Sequence, residues 1–144
     1  MVKKLSLYLA SSCLVGAATR YDGAASPIKS FISFLRNKSV LLVCPEIMGG
    51  LSVPRLPARI TGSFPASGEK VLAGRASVKT KNGRDVTVHF IRGAQLVQTL
   101  IKSFHIHKSY LKSKSPSCGY GSVYKGNGVL AALLKKNNIR IVSL

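Results

Sequence analysis

The chain of 144 residues carries 22 lysine and arginine residues against four acidic residues, which gives a formal net charge of +18 at pH 7. A chain of this length can fold as one domain that buries about 68–70% of its unfolded surface. Because 46% of the residues are hydrophobic, the composition excludes a disordered basic tail. The positive charge favours a polyanionic partner, RNA rather than DNA, and the alternative is a basic surface that is only solvated.

The N-terminal segment predicts the first strand. Residues 3–11 are mostly apolar, as in a buried strand. The stretch from Met1 to Ala18 also has the charged start, apolar run and small residues of a signal peptide. However, serines interrupt the run, and cleavage would remove Cys13. No other stretch of the sequence approaches the ~20 apolar residues of a membrane span, so we expect a cytoplasmic protein with reduced thiols and no membrane contact.

A helix and a second strand are expected next. Ser26 and Pro27 are residue types typical of a helix N-cap and of the first helical position. Apolar residues then recur at helical spacing, which predicts a helix over about 26–37. The apolar run 40–43 predicts the second strand, so this part of the chain forms a right-handed βαβ unit.

The middle of the chain is rich in residues that break regular structure. Prolines and two adjacent glycines between residues 45 and 60 predict a shaped loop with no helix or strand. Residues 52–84 predict a basic, loop-rich excursion with a short strand near 76–79. The excursion is either a mobile surface flap or a binding surface.

The remaining elements complete an alternating pattern. Asp85 is placed to cap a long helix over about 86–105, and residues 108–112 predict a third strand. A helix over about 128–137 and a strand over 139–142 follow. Alternating helices and strands predict a single α/β domain over 1–144, with a mainly parallel, open, Rossmann-like sheet and helices on both faces.

The three cysteines, Cys13, Cys44 and Cys118, each follow a predicted strand. Ligands of open α/β sheets bind beyond the carboxyl ends of the strands, so the three thiols could meet in one crevice. Thiolates are soft ligands typical of iron–sulfur clusters and zinc. A four-iron cluster held by three cysteines would keep one iron open as a Lewis acid. The alternatives are a zinc site completed by Glu46, and three buried thiols that act as small apolar residues.

Five groups of motifs occur in a fixed order along the chain. They are Ser12-Cys13-Leu14-Val15-Gly16 with Arg20-Tyr21-Asp22-Gly23, Cys44-Pro45-Glu46 with Gly49-Gly50-Leu51, Pro54-Arg55 with Pro57-Ala58, Gly83-Arg84-Asp85-Val86-Thr87, and Ser115-Pro116-Ser117-Cys118-Gly119. Each is weakly specific alone. Together they resemble the TudS-like thiouracil desulfidase family over nearly the whole chain.

The resemblance implies a cofactor and a reaction. It implies a [4Fe–4S] cluster held by Cys13, Cys44 and Cys118, with one open iron that binds the thiocarbonyl sulfur of a 4-thiouracil ring. Water would replace the sulfur at carbon 4 without net redox change. The family's catalytic glutamate falls on Glu46, which would activate water or shuttle protons. Its catalytic serine falls on Ser115, which would hydrogen-bond or protonate the ring nitrogen.

Two departures from the family pattern favour a bulky, anionic substrate. The segment from Tyr120 to Gly128 is shorter than in the family, and Arg59 stands where the family often has an acid. We therefore expect 4-thiouridine in tRNA to be the substrate, as in RNA-directed members. The alternatives are a desulfidase of free 4-thiouracil or its nucleosides, and a non-catalytic iron–sulfur or RNA-binding module. The candidate RNA-binding residues are Arg20, Arg55, Arg59, Arg75, Lys112 and Lys114.

Overall fold

The computed structural model describes residues 6–121 and 126–144. Four parallel strands form the main sheet in the order β2-β1-β5-β6. The strands are β1 (Leu7–Ser11), β2 (Ser39–Val43), β3 (Ala58–Thr61), β4 (Ser77–Thr80), β5 (Lys108–Leu111) and β6 (Arg140–Ser143). The helices are α1 (Lys29–Leu35), α2 (Pro45–Met48), α3 (Gly68–Leu72), α4 (Thr87–Phe104) and α5 (Val129–Lys136).

Helices cover both faces of the main sheet. Successive strand residues point to opposite faces, and here both faces carry apolar residues that pack against helices. Leu9 of β1 packs into a large core that contains the apolar sides of α4 and α5. Its neighbour Ala10 packs into a second core with Phe31 of α1 and Tyr110 of β5. The predicted fold class, a mainly parallel α/β sheet with helices on both faces, is therefore confirmed.

The excursion predicted over residues 52–84 contains more regular structure than expected. Strands β3 and β4 pair in antiparallel fashion, and Ile60 and Val78, which lie opposite each other, are both buried. Helix α3 follows β3 and precedes β4 in the chain, and it packs against α5. The short strand predicted near 76–79 is confirmed as β4, whereas β3 and α3 were not expected. Strand β3 was missed because apolar residues at alternate positions of two short segments form a buried face only when the segments pair.

Three helix starts differ from the sequence-based expectation. Helix α1 begins at Lys29 with Ile28 as its N-cap, not at Ser26. Residues 45–48, expected to be irregular, form α2, with proline at a first-turn position where its missing N–H is not needed. Helix α4 begins at Thr87, and Asp85 lies just outside it, where its carboxylate accepts a hydrogen bond from the Thr87 N–H at 2.9 Å.

The order of the strands places three loops side by side. Strand β1 lies between β2 and β5, so the loops that follow these three strands leave the sheet at one edge. No helix in the described part of the chain is long and apolar enough to cross a membrane. The start of the strand predicted over 3–11, and part of the segment from Tyr120 to Gly128, lie outside the described residues.

Candidate active site

The three cysteines line one cleft at the carboxyl edge of the main sheet. The cleft has a volume of about 370 Å³ and is lined by Cys13 from the loop after β1, Cys44 after β2 and Cys118 after β5. Glu46 and Ser115, the two residues predicted to be catalytic, line the same cleft. The fold thus brings together five side chains that are spread over more than 100 positions of the sequence.

The loop after β1 turns sharply so that Cys13 faces the cleft. Residues Ser12–Val15 form a single 3₁₀ turn that ends at Gly16, whose φ of 104° lies in the left-handed region that glycine tolerates best. The backbone then returns, and the Ser26 N–H donates to the Cys13 carbonyl at 2.9 Å. This closed loop holds Cys13 at the end of the central strand.

The three thiols are suitable ligands for a soft metal ion or an iron–sulfur cluster. All three cysteines are free, and burial raises the pKa of Cys13 and raises the pKa of Cys118 to about 12. Buried thiols of this kind stay protonated at neutral pH unless a metal displaces the proton. Within the described residues, no three cysteine, histidine or acidic side chains are grouped closely enough to hold one metal ion. A four-iron cluster binds each thiolate through a different iron, so the residues present fit a cluster better than a single zinc ion.

Glu46 is fixed on both of its carboxylate oxygens. It lies in the first turn of α2, two residues after Cys44. Arg55 donates from Nε to Oε1 at 3.1 Å, and Ser117 donates from Oγ to Oε2 at 2.8 Å. The ion pair is largely buried, with 8% of the Arg55 side chain and 14% of the Glu46 side chain exposed. The carboxylate therefore has one orientation beside the thiols.

Ser115 is held by the backbone of its own loop. Its Oγ accepts hydrogen bonds from the N–H groups of Ser117 and Cys118 at 3.2 and 3.1 Å. Its remaining hydroxyl contact is with Ser117 Oγ at 3.0 Å. Ser117 thus lies between the two residues that the family resemblance assigns to catalysis. Its position in the Ser-Pro-Ser-Cys-Gly motif was visible in the sequence, but its contact with Glu46 was not.

Two glycines let α2 approach α4 closely. A Cβ at Gly49 would overlap the carbonyl oxygen of His89, and a Cβ at Gly93 would overlap the carbonyl oxygen of Pro45. His89 also lies 2.8 Å from the Gly49 carbonyl through Nδ1, which must donate because the carbonyl can only accept. These contacts fix the helix that carries Glu46, and the Gly93 contact could not be foreseen from the sequence pattern.

The candidate RNA-binding residues occupy different environments. Arg20, Arg55, Lys112 and Lys114 line the cleft, and Arg55 is committed to the buried pair with Glu46. An adjoining groove of about 250 Å³ shares Lys114, Ser115 and Pro116 with the cleft and is also lined by Arg59. Arg75 is exposed between α3 and β4, outside the lining of both cavities.

Comparisons with known proteins agree with this architecture. The model of the 2-thiouracil desulfurase family matches residues 9–144. An uncharacterised protein of Bacillus subtilis (strain 168), YbbK, is 38% identical over 146 residues and covers 95% of each chain. The solved structure of TudS, described as a [4Fe–4S]-dependent thiouracil desulfidase, superposes with a TM-score of 0.78 at 33% identity, covering 96% of this chain and 90% of that chain.

The family model extends over most of the chain and includes all three cysteine loops. The protein belongs to the 2-thiouracil desulfurase family. The family resemblance inferred from the sequence motifs is thereby confirmed.

Proposed function

We propose that the protein is a [4Fe–4S]-dependent desulfidase that converts 4-thiouridine in tRNA to uridine and releases hydrosulfide. The observation that carries this proposal is the shared cleft, in which three free cysteines lie beside Glu46 and Ser115. Membership of the 2-thiouracil desulfurase family supports sulfur removal. The similarity to TudS supports the cofactor, since that protein is described as [4Fe–4S]-dependent.

The cluster would be held by Cys13, Cys44 and Cys118. When bound, it would supply one iron without a protein thiolate, a Lewis acid with an affinity for sulfur. Cys13 and Cys118 are buried in the loops that follow the neighbouring strands β1 and β5, so the protein would shield a cluster held there from bulk water on that side. Deprotonation of the three thiols would accompany loading of the cluster.

Glu46 and Ser115 would handle protons in the reaction. The Glu46 carboxylate, paired with Arg55, is a base at the cleft that can take a proton from the attacking water. The water oxygen replaces sulfur at carbon 4, and sulfur leaves as hydrosulfide, so no electrons are gained or lost overall. Once a substrate ring lies in the cleft, the Ser115 hydroxyl can turn from Ser117 to the ring nitrogen and donate to it as negative charge develops there.

The groove beside the cleft supports an RNA substrate. It begins at Ser115 and continues past Lys114 and Arg59, so a nucleotide whose base lies in the cleft could place its phosphates against two cations. Strands β3 and β4 also set Arg59 directly opposite Lys79. Like charges at opposed positions destabilise a sheet, and a polyanion would relieve this repulsion.

The second candidate is a desulfidase of free 4-thiouracil or its nucleosides. One observation favours it: the related structure TudS is described as a thiouracil desulfidase. A non-catalytic iron–sulfur or RNA-binding module is the remaining alternative, and the proximity of Glu46 and Ser115 to the thiols argues against it.

The test is turnover by anaerobically reconstituted protein. Thiolated tRNA, 4-thiouridine nucleoside and free 4-thiouracil are compared at equal concentration, with loss of the thiocarbonyl absorbance and release of sulfide as readouts. We expect the highest kcat/KM with tRNA. A Glu46→Ala variant should keep the cluster colour and lose activity. Preference for the free base would favour the second candidate, and a coloured protein that acts on none of the three would overturn both.

A further inference from the structure

Neither the family resemblance nor the sequence pattern assigns a role to the Ser117 hydroxyl. The residue is 3% exposed, in the loop after β5. Its Oγ lies 2.8 Å from Oε2 of Glu46 and 3.0 Å from Oγ of Ser115. Glu46 and Ser115 are thus connected through a single intervening side chain.

The direction of these hydrogen bonds follows from the number of protons available. A carboxylate paired with arginine accepts hydrogen bonds, so Ser117 uses its one hydroxyl proton on Oε2 of Glu46 at 2.8 Å, and its contact with Sγ of Cys118, at 3.9 Å, is the weaker one. The contact between the two serines must then be donated by Ser115. The Ser115 oxygen accepts from two backbone N–H groups, which leaves its proton free for this bond. The three side chains form one ordered row from Ser115 through Ser117 to Glu46.

We propose that Ser117 is a positioning residue, which orients the Glu46 carboxylate and holds the Ser115 hydroxyl in place until a substrate nitrogen replaces Ser117 as its acceptor. The proposal rests on the proposed function for the roles of those two groups. Arg55 fixes one carboxylate oxygen and Ser117 fixes the other. Without the Ser117 hydroxyl, the carboxylate could rotate about its bond to the chain, and the Ser115 hydroxyl would lose the acceptor that directs it.

Another buried serine has a purely structural role and serves as a comparison. Ser109 in β5 is 0% exposed, and its Oγ donates to the Arg140 carbonyl at 3.1 Å. That hydroxyl meets a backbone group of the neighbouring strand. Ser117 instead contacts the side chains of Glu46 and Ser115, which are expected to react, and that of Cys118, a proposed cluster ligand. Ser109→Ala is therefore a matched control that removes a buried serine hydroxyl outside the cleft.

The first experiment measures kinetics of the cluster-loaded protein on 4-thiouridine. Because a small misplacement of reacting groups can lower rates by about 100-fold, we expect Ser117→Ala to lower kcat by about 10- to 100-fold with KM and cluster colour unchanged. Ser117→Thr should restore kcat to within about threefold of the wild type, and Ser109→Ala should leave kcat unchanged. A Ser117→Ala enzyme with the wild-type kcat would overturn the proposal.

A double-mutant comparison separates positioning from an independent role. If Ser117 acts through Ser115 and Glu46, Ser115→Ala and Ser117→Ala together should lower kcat by less than the product of their separate effects. Effects that multiply in full would overturn the proposal. A coloured wild-type protein that removes no sulfur would instead overturn the proposed function, and the positioning of Glu46 would still be decided by the next measurement.

The second experiment needs no activity. Glu46 and Glu69 are the only glutamates in the sequence, so carboxyl ¹³C labelling of glutamate gives two NMR signals, and Glu46→Gln identifies which one belongs to the cleft. Loss of the Ser117 hydrogen bond should shift the Glu46 signal in Ser117→Ala and leave it in place in Ser109→Ala. An unmoved Glu46 signal in Ser117→Ala would show that the row of side chains is not formed, and would overturn the proposal.

Discussion

Arg55 donates from Nε to Oε1 of Glu46 at 3.1 Å, and the two side chains are 8% and 14% exposed. The same guanidinium donates from Nη2 to the Thr19 carbonyl at 3.0 Å and from Nη1 to the Ser52 carbonyl at 3.2 Å. The Cys44 thiol also contacts the Thr19 carbonyl, at 3.7 Å. Arg55 thus ties the loop after β1, the loop after α2 and the carboxylate into one unit around the thiols.

Replacing Arg55 should be damaging even when its charge is kept. Lysine is a point charge that cannot reproduce a planar fork of donors, so we expect Arg55→Lys to lose most of the activity. Arg55→Ala leaves a buried carboxylate without its partner and should cost about 3–5 kcal/mol of unfolding free energy. Chemical denaturation and kcat measure both effects. Arg92→Lys, an exposed position on α4, is the control, and an Arg55→Lys enzyme with wild-type activity would contradict the role given to the guanidinium.

Gly93 should be intolerant of a single added methyl group. Its Cβ would overlap the Pro45 carbonyl oxygen, so Gly93→Ala must displace α2 and the Glu46 that it carries. Overpacking of this kind typically costs about 1–3 kcal/mol. We expect lower stability together with lower kcat. Gln95→Ala, exposed on the same helix, should change stability by no more than about 0.5 kcal/mol, and equal effects of the two substitutions would contradict the close packing.

The free energy of unfolding should depend on pH through Asp85, which lies next to the start of α4. Hydrogen bonds from the hydroxyl and backbone N–H of Thr87 lower the pKa of Asp85. A group with a lowered folded-state pKa stabilises the fold above its unfolded pKa of about 3.9, and this contribution is lost as pH falls through the folded-state pKa. Because the carboxyl is exposed and screened, Asp85→Ala should cost only about 0.5–1 kcal/mol at pH 7.

Denaturation curves recorded from pH 7 down to pH 3 test this assignment. The difference in unfolding free energy between the wild type and Asp85→Ala should decrease at acid pH. A difference that stays constant over that range would mean that the charge of Asp85 does not contribute. Asp22, whose carboxylate accepts from the Ala24 N–H outside any helix, provides an acidic control position.

The groove residues should affect RNA and small substrates differently. We expect Arg59→Glu and Lys114→Glu to raise KM for thiolated tRNA about 10-fold or more, since only RNA carries phosphates along the groove. Arg59→Glu, which lies outside the cleft lining, should leave KM for 4-thiouridine nucleoside unchanged. Each variant should also flatten the salt dependence of tRNA binding. Lys135→Glu, at the end of α5 near the opposite edge of the sheet, is the matched control. Equal losses in all three variants would indicate a general charge effect.

The convergence of the thiols could be predicted from the sequence because it depends on topology alone. Cys13, Cys44 and Cys118 each follow an apolar run, and parallel strands bring such positions to one edge. Prediction from local signals failed between residues 45 and 72, although the strand expected near 76–79 was found. There, proline and glycine indicated loops, whereas Pro45 begins a short helix and the β3–β4 pairing buries Ile60. Local breaker signals do not reveal contacts that form only after the chain has folded.

The hydrogen bonds within the site could not be predicted for a related reason. Ser117 and Glu46 are separated by 71 positions, and their contact depends on how α2 packs against α4 through Gly49 and Gly93. No periodic pattern in the sequence predicts how these two helices pack. Arg55 was predicted as an RNA-binding residue because its motif shows only its charge. Its burial follows from three acceptors, contributed by helix α2 and by two different loops.

Nucleoside composition of tRNA before and after treatment with anaerobically reconstituted protein tests the central claim most directly. Three thiols that gather at one sheet edge should hold the cluster, and the loaded protein should convert 4-thiouridine to uridine with one sulfide released for each nucleoside changed. Cys13→Ser, Cys44→Ser and Cys118→Ser should each be colourless and inactive. Unchanged 4-thiouridine in the presence of fully loaded wild-type protein would contradict the account.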